Sequence, residues 1–394
     1  MDEKRILDGV RVVDFSTYIA APLCAAMLAD LGAEVIKVEA PSGDACRTFM
    51  HPQRRGNIRF DACNVAKKSI TINLRTDEGV AALKKLSASA AVFVTHTRMK
   101  SLEKRGLDHE TMCRENPHLI YAWVSGYGEN GPEANLPAFD SSTYWAKSGL
   151  LIDTMTYTEH AYPTANPTAG GDRVTALGMF SLIMTALLRK EKTGKGDYVT
   201  ASLFQMGLFQ NAFNIASEQD GYNYPLPRGA GSPECTAFKC SDGRWVLIAI
   251  MDYPKMGRAL WNAFGREDLY EKPEYAFPDG WESHRPEVTK IFEEIMATRS
   301  SAEWIAAFGE RDIACCVLED AKSVQSSEQA WANDYFERYV AETGKEYVVP
   351  RSIINLKSQP QPYIHDVPLE IGADTEKVLS SLGFSPDEIE KASK

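Results

Sequence analysis

The chain has 394 residues, 44% of them hydrophobic and 25% charged, with a net charge of −11. That length exceeds what one core ordinarily holds, so two lobes are expected. The acidic balance argues against nucleic acid as a partner, and the longest apolar run, about Val174 to Leu188, reads as too short and too mixed to span a bilayer.

The first residues, MDEKRILDGV, lack the basic start and apolar core of a secretory signal. A cytoplasmic protein is expected. Eight cysteines show no C-x-x-C pair and no companion His spacing, so no metal is expected. Cys24, Cys315 and Cys316 sit among apolar residues and read as core thiols.

In chain order, Val10 to Phe15 reads as a strand, Pro22 to Leu31 as a helix stopped by Gly32, and Glu34 to Glu39 as the next strand. A helix between strands implies a parallel sheet with right-handed crossovers. The first turn, STYIAAP, carries no G-x-G-x-x-G, which speaks against a dinucleotide held on glycine amides. The pattern continues with a strand at Ser69 to Leu74, a helix at Asp77 to Leu86 capped by Thr76, and a strand at Ala91 to His96. Two short helices, Met99 to Arg105 and His109 to Glu115, then lead to a strand at Leu119 to Ser125. Polar or basic side chains stand at the strands' carboxyl ends: Ser16 and Thr17, Arg75, then His96 and Arg98. Ligands of open α/β sheets bind there.

A turn-rich loop, Gly126 to Asp140, opens a segment of small and aromatic residues. Then comes GGDRVTALGMF, where Asp172 follows two glycines at the start of a long apolar helix. Asp172 is placed like an N-cap, accepting the helix's first N–H groups, and the helix dipole should keep its carboxylate ionised. The two glycines should leave room for a large ligand. A plain cap and a nucleophile presented to substrate are both compatible with this pattern. Asp197 to Leu203 returns as a strand, and Phe204 to Asp220 reads as one helix. Tyr222 to Ser232 has the Pro and Gly content of a linker. A smaller lobe follows, with a strand at Trp245 to Ile250 and helices at Lys255 to Phe264, Glu287 to Ala297 and Ala302 to Phe308. Strands at Tyr347 to Pro350 and Ser352 to Leu356 and a helical pair over Asp374 to Lys391 close the chain. The division expected is 1–221, 222–331 and 332–394.

Several stretches together resemble the class III CoA-transferases, the formyl-CoA and carnitine CoA-transferase superfamily. They are LDGVRVVDFSTYIAAPLCAAMLADLGAEVIKVEAPSGDACR, KKSITINLRTDEG, VSGYGENGP, GGDRVTALGMF and RKEKTGKGDYVTASL, in that order. The resemblance implies an α/β fold, a Rossmann-like parallel-sheet large domain with a smaller α/β domain, in an intertwined homodimer. It implies that CoA passes from an acyl-CoA to a free carboxylic acid by ping-pong steps, with CoA as substrate and no permanently bound cofactor. The catalytic aspartate falls on Asp172. Contacts to CoA fall on Tyr18, Ile19, Ala20, Ile72, Arg75, His96, Thr97, Arg98 and Lys104. Asn-Phe-Arg-Pro-Gly of many members is replaced by His96-Thr97-Arg98-Met99-Lys100. The Gly-rich loop of some members corresponds to Arg228 to Ser232. Asp140, Tyr144, Trp145 and Tyr157 are candidates for the acyl pocket. AWANDYF and GREDL point toward members that exchange CoA between an enoyl-CoA and a 2-hydroxy acid such as phenyllactate or 2-hydroxyisocaproate. The rival is an α-methylacyl-CoA racemase, which needs a base before Asp140, where this chain has Phe139. A non-catalytic acyl-CoA binder is the third reading.

Overall fold

The computed structural model describes residues 5–49, 57–154, 168–221, 227–359, 367 and 370–394. Among these, two compact units are formed: one within Met1–Leu151, Ala165–Ala216 and Glu328–Lys394, the other within Ile152–Thr164 and Ser217–Ser327.

The first unit is built on six parallel strands: β1 Arg11–Phe15, β2 Glu34–Glu39, β3 Lys67–Thr71, β4 Val92–Thr95, β5 Ile120–Ser125 and β6 Asp197–Ser202. Their order across the sheet is β3-β2-β1-β4-β5-β6. In register, Val12 of β1 pairs with Val35 on one side and Val92 on the other. These strands are rich in Val and Ile and buried on both faces, as a sheet covered by helices on each side requires. The chain first builds outward from β1 to β3, then crosses back to lay β4 on the other side of β1. The reversal leaves a crevice at the carboxyl ends of β1 and β4.

One helix layer holds Ala20–Asp30 and Gly170–Thr193, which bury Cys24, Leu28, Ala176, Met179 and Ile183 against the sheet. The second helix has 24 residues and enough apolar character to cross a membrane by length and composition, longer than the sequence run suggested. One stripe of it, Ala176, Met179, Ile183 and Ala186, is buried in the core of the first unit. On the other face, Asp77–Ala88 buries Leu83 and Leu86, and Thr76 caps it by accepting the Gly79 N–H at 3.0 Å. The open edge at β3 is covered from the chain's end: the Ser69 N–H donates to Asp374 Oδ2 and the Thr71 N–H to Thr375 Oγ1, each at 2.9 Å.

The second unit pairs β7 Ala237–Lys239, β8 Trp245–Ile248 and β9 Cys315–Val317 in an antiparallel sheet. Trp261, Trp281, Phe292, Trp304 and Phe308, all fully buried, form its core.

Three expectations are corrected. Ser352 to Leu356 forms no strand: β10 Phe336–Val340 and β11 Glu346–Pro350 close a hairpin, and beyond it Ser352 Oγ accepts the Ile354 N–H, a local turn in place of a ladder bond. The single helix after β6 is two, Leu203–Gln210 and Ala212–Glu218, broken where the Asn211 side chain turns to donate to the Ser148 carbonyl. All eight cysteines are free, but Cys316 is exposed and only Cys24 of the three expected core thiols is fully buried, because alternation along β9 turns Cys316 outward.

Candidate active site

A cavity of about 1400 Å³ opens at the carboxyl ends of the parallel strands. One wall is the turn after β1, Ser16 to Ala21; a second is His96 to Lys100 after β4; a third is Ser125, Gly126 and the loop to Ser141 after β5. Thr168, Ala169 and Asp172, from the start of the long helix, complete it. Of the residues singled out in the sequence, Tyr18, Ile19, Ala20, His96, Thr97, Arg98, Asp140 and Asp172 come together here.

Others do not line it. Ile72 is a core residue, 2% exposed, packed with Ile70 and Leu83. Arg75 and Lys104 are exposed and do not line the cavity, although Glu103, next to Lys104, does. Tyr144 and Trp145 pack with Leu150 and Leu203 behind the start of the Asp172 helix. Tyr157 lies outside the described residues. Arg228 belongs to the second unit, where it pairs with Glu293 at 2.6 Å.

Asp172 is not the cap of its helix. The helix begins at Gly170, the capping position is Ala169 in left-handed backbone (φ 59°), and Asp172 sits within the first turn. The capping acceptor comes from 32 residues away: Asp140 Oδ1 takes the Asp172 N–H at 2.8 Å and also bonds the Gly171 N–H. The two glycines serve this joint rather than a ligand. A Cβ on Gly171 would overlap the Tyr144 ring and stand 2.6 Å from Asp140 Oδ1, and one on Gly170 would reach Trp145 Cζ2 at 3.2 Å.

The electrostatics reverse the expectation of a carboxylate comfortably ionised by the helix dipole. Burial, and after it the negative Asp140 alongside, push the Asp172 pKa up to about 7 against a smaller opposing influence from Arg173. Burial likewise raises Asp140, while the bonds it accepts from the Asp172 and Gly171 backbone N–H groups, then the nearby Trp145 side chain and lastly the charge of Arg173, act to lower it. A carboxylate ionising near 7 in a cleft is more basic and less hydrated than one in water. Such a group suits acyl chemistry.

The wall after β1 has its own construction. Tyr18 has a φ of 63°, and its ring meets Phe49 and Phe139 edge to face at 6.1 and 6.2 Å. All three line the cavity. Phe49, Phe139, His109 and Glu129 were not anticipated as lining; the carboxyl-end rule applied to β2 and β5 points to the regions that hold Phe49, Glu129 and Phe139. His96, its pKa lowered by burial, accepts the Thr17 N–H at Nδ1 and meets Thr17 Oγ1 at 3.2 Å through Nε2. Among the described residues no cluster of three or more metal-ligating side chains exists.

A Rossmann-type sheet with an acid-lined cavity at its switch point defines an α/β enzyme of small-molecule chemistry. The chain matches the model of CoA-transferase family III over residues 7–375 and belongs to that family. It is 35% identical to the (R)-2-hydroxy-4-methylpentanoate CoA-transferase of Clostridioides difficile, over 98% of this chain and 97% of that one. It is 32% identical to the cinnamoyl-CoA:phenyllactate CoA-transferase of Clostridium sporogenes, over 99% and 96%. Among solved structures, Rv3272 from M. tuberculosis, orthorhombic form, superposes with a TM-score of 0.81 at 28% identity, covering 94% of this chain and 98% of that one. The protein is therefore a family III CoA-transferase, acting on CoA thioesters.

Proposed function

We propose that this enzyme moves CoA from an acyl-CoA to a free 2-hydroxy acid with a branched or aromatic side chain, using Asp172 as the nucleophile. The observation that carries the reading is Asp172 itself, a partly buried carboxylate ionising near 7 on the wall of the strand-end cavity. In the first step its oxygen attacks the thioester carbonyl; the C–S bond breaks, leaving a mixed anhydride and the CoA thiolate. The thiolate attacks the aspartyl carbonyl and releases the donor's acid as carboxylate. The acceptor carboxylate then attacks the aspartyl thioester, and the returning thiolate takes the acceptor's acyl group, freeing Asp172. No ATP is consumed, because one thioester replaces another.

The aromatic edges of Tyr18, Phe49 and Phe139 support an apolar acyl group, and the two relatives named for such acids point the same way. Position 139 offers a phenyl ring and no proton acceptor, which disfavours racemisation. Arg98 and Lys100 on the cavity wall, with the exposed Arg75 and Lys104 farther out, suit the phosphates of CoA. An intertwined homodimer fits the outward-facing Phe209 and Phe213, 76% and 89% exposed in the single chain, and light scattering reads it directly.

The test is Asp172→Ala assayed for CoA exchange by mass spectrometry. We expect a loss of at least about 10³-fold with the fold retained by circular dichroism. Wild type incubated with donor and hydroxylamine should carry a hydroxamate at Asp172. Unchanged turnover in the alanine variant overturns the mechanism.

A further inference from the structure

Beneath the turn after β1 lies a charge pair that the chemistry above does not use. Lys37, on β2, is fully buried, and its ammonium stands 2.8 Å from Asp44 Oδ2 and donates to the Ser16 carbonyl at 3.0 Å. Asp44, 3% exposed, uses its other oxygen to accept the Tyr18 N–H at 3.2 Å and the Cys46 N–H at 2.8 Å. Its own N–H is held by Glu39 at 2.9 Å, and Glu39 is in turn clamped by Arg47 at 2.7 Å and by Ser69 Oγ at 2.7 Å. His96 takes the Thr17 N–H. Three successive residues of a cavity-lining turn are thus tied by their backbone to buried side chains from β2, the loop after it and the end of β4.

A turn needs that much restraint only where its shape is unfavourable on its own. Tyr18 is in the left-handed region, where the Cβ of any residue but glycine crowds the backbone. Such strain persists where surrounding structure imposes it, and it gathers at ligand sites. A tyrosine relaxed to negative φ would withdraw its N–H from Asp44 and take its ring away from Phe49 and Phe139.

We propose that the buried Lys37–Asp44 pair is a positioning unit, which holds the Ser16–Tyr18 turn in its left-handed form and so shapes the wall that receives the acyl-CoA. The inference rests on reading the cavity as the acyl-CoA site. It assigns both residues an effect on binding rather than on the chemical step, since neither touches Asp172.

The test is a cycle between Asp44→Ala and Tyr18→Gly, because glycine adopts positive φ at no steric cost. Binding of free CoA by calorimetry is read beside donor KM and kcat. With Tyr18 present, Asp44→Ala should weaken CoA binding and raise donor KM about tenfold, the factor that about 1.4 kcal/mol of turn strain represents, while kcat changes by less than about threefold. In the Tyr18→Gly background the same substitution should change binding by less than about threefold. Removing Asp44 leaves the buried Lys37 ammonium with only Asp14, at 4.0 Å, as its charge partner and can prevent folding. The paired variant Lys37→Met with Asp44→Leu leaves no unpaired ion and should give the same contrast. Equal losses in the two backgrounds, or a loss confined to kcat, overturn the inference alone. A wild type that binds no CoA overturns the reading of the cavity along with it.

Discussion

Tyr18 and Ala169 stand on different walls of the cavity, and both take left-handed backbone, at φ 63° and 59°. Beside each lies a carboxylate that accepts backbone N–H groups: Asp44 under the first turn, Asp140 under the first turn of the long helix. The mechanical work is the same, but the surroundings of the two acids differ. Asp44 faces the ammonium of Lys37 at 2.8 Å, so its charge is matched on the spot. Asp140 accepts backbone N–H groups of Asp172 and Gly171, and its charge acts on Asp172. One joint fixes shape alone. The other fixes shape and makes the neighbouring carboxyl more basic.

The largest expected effect separates those two contributions at Asp140. Asp140→Ala removes the acceptor for two helix N–H groups and should cost about 1–2 kcal/mol of stability, read as a lowered Tm, together with about 10²-fold in kcat. Asp140→Asn keeps an acceptor oxygen and should retain stability and most of kcat. If the asparagine variant melts as early as the alanine one, charge rather than capping holds the joint, and the comparison with Asp44 fails.

Next in size is Gly171→Ala. Its methyl must displace the Tyr144 ring, an overpacking that costs about 1–3 kcal/mol and moves the Asp172 turn, so both Tm and kcat should fall. A fully active, fully stable Gly171→Ala enzyme would mean that the glycine serves no close approach.

The pH profile sharpens the electrostatic half. Attack requires the ionised form, so kcat/KM for the donor should rise with pH along a limb centred near 7. In Asp140→Asn the limb should move to lower pH, since a neighbouring negative charge is gone. It should remain above the ordinary carboxyl value of 3.8, because burial is the larger cause. The same elevation carries a stability sign. A carboxyl raised on folding binds its proton more tightly in the folded state, so its ionisation lowers stability as pH rises from about 4 through about 7. Asp172→Asn should therefore gain in Tm relative to wild type between pH 5 and pH 8, which thermal melts at the two values will show.

Much of this was legible before the fold. The β-α-β alternation through Ser125 follows from β-branched runs separated by capped amphipathic stretches, and every strand of the parallel sheet overlaps a predicted one. The strand-end rule found Ser16, Thr17, His96 and Arg98 but also pointed to Arg75, which does not line the cavity; Tyr18 came from the family resemblance. What escaped were facts that depend on residues distant in sequence. Asp172 looked like its own cap because the true acceptor, Asp140, is 32 residues earlier. The glycines before it looked like an opening because the rings that fill the space, Tyr144 and Trp145, carry no sign of their packing in their spacing. Those same rings read as pocket walls from the family resemblance, while Phe139, next to Asp140, was noticed only for the base it lacks. Local periodicity places elements well and is silent on which side chains cross between them.

The smallest expected effects concern the bases. Arg98 and Lys100 line the cavity, whereas Arg75 and Lys104 are exposed outside it, and a charge in water is largely screened beyond about 8–10 Å. A contact to the nucleotide end binds ground state and transition state alike, so its loss should raise donor KM and spare kcat. Arg98→Ala is expected to raise KM about three- to tenfold, and Arg75→Ala less than about twofold, with the difference shrinking as salt is raised. Steady-state kinetics at two ionic strengths decide it. Should Arg75→Ala prove the more damaging of the two, the phosphates lie along the outer edge of β3 rather than at the β1–β4 crevice.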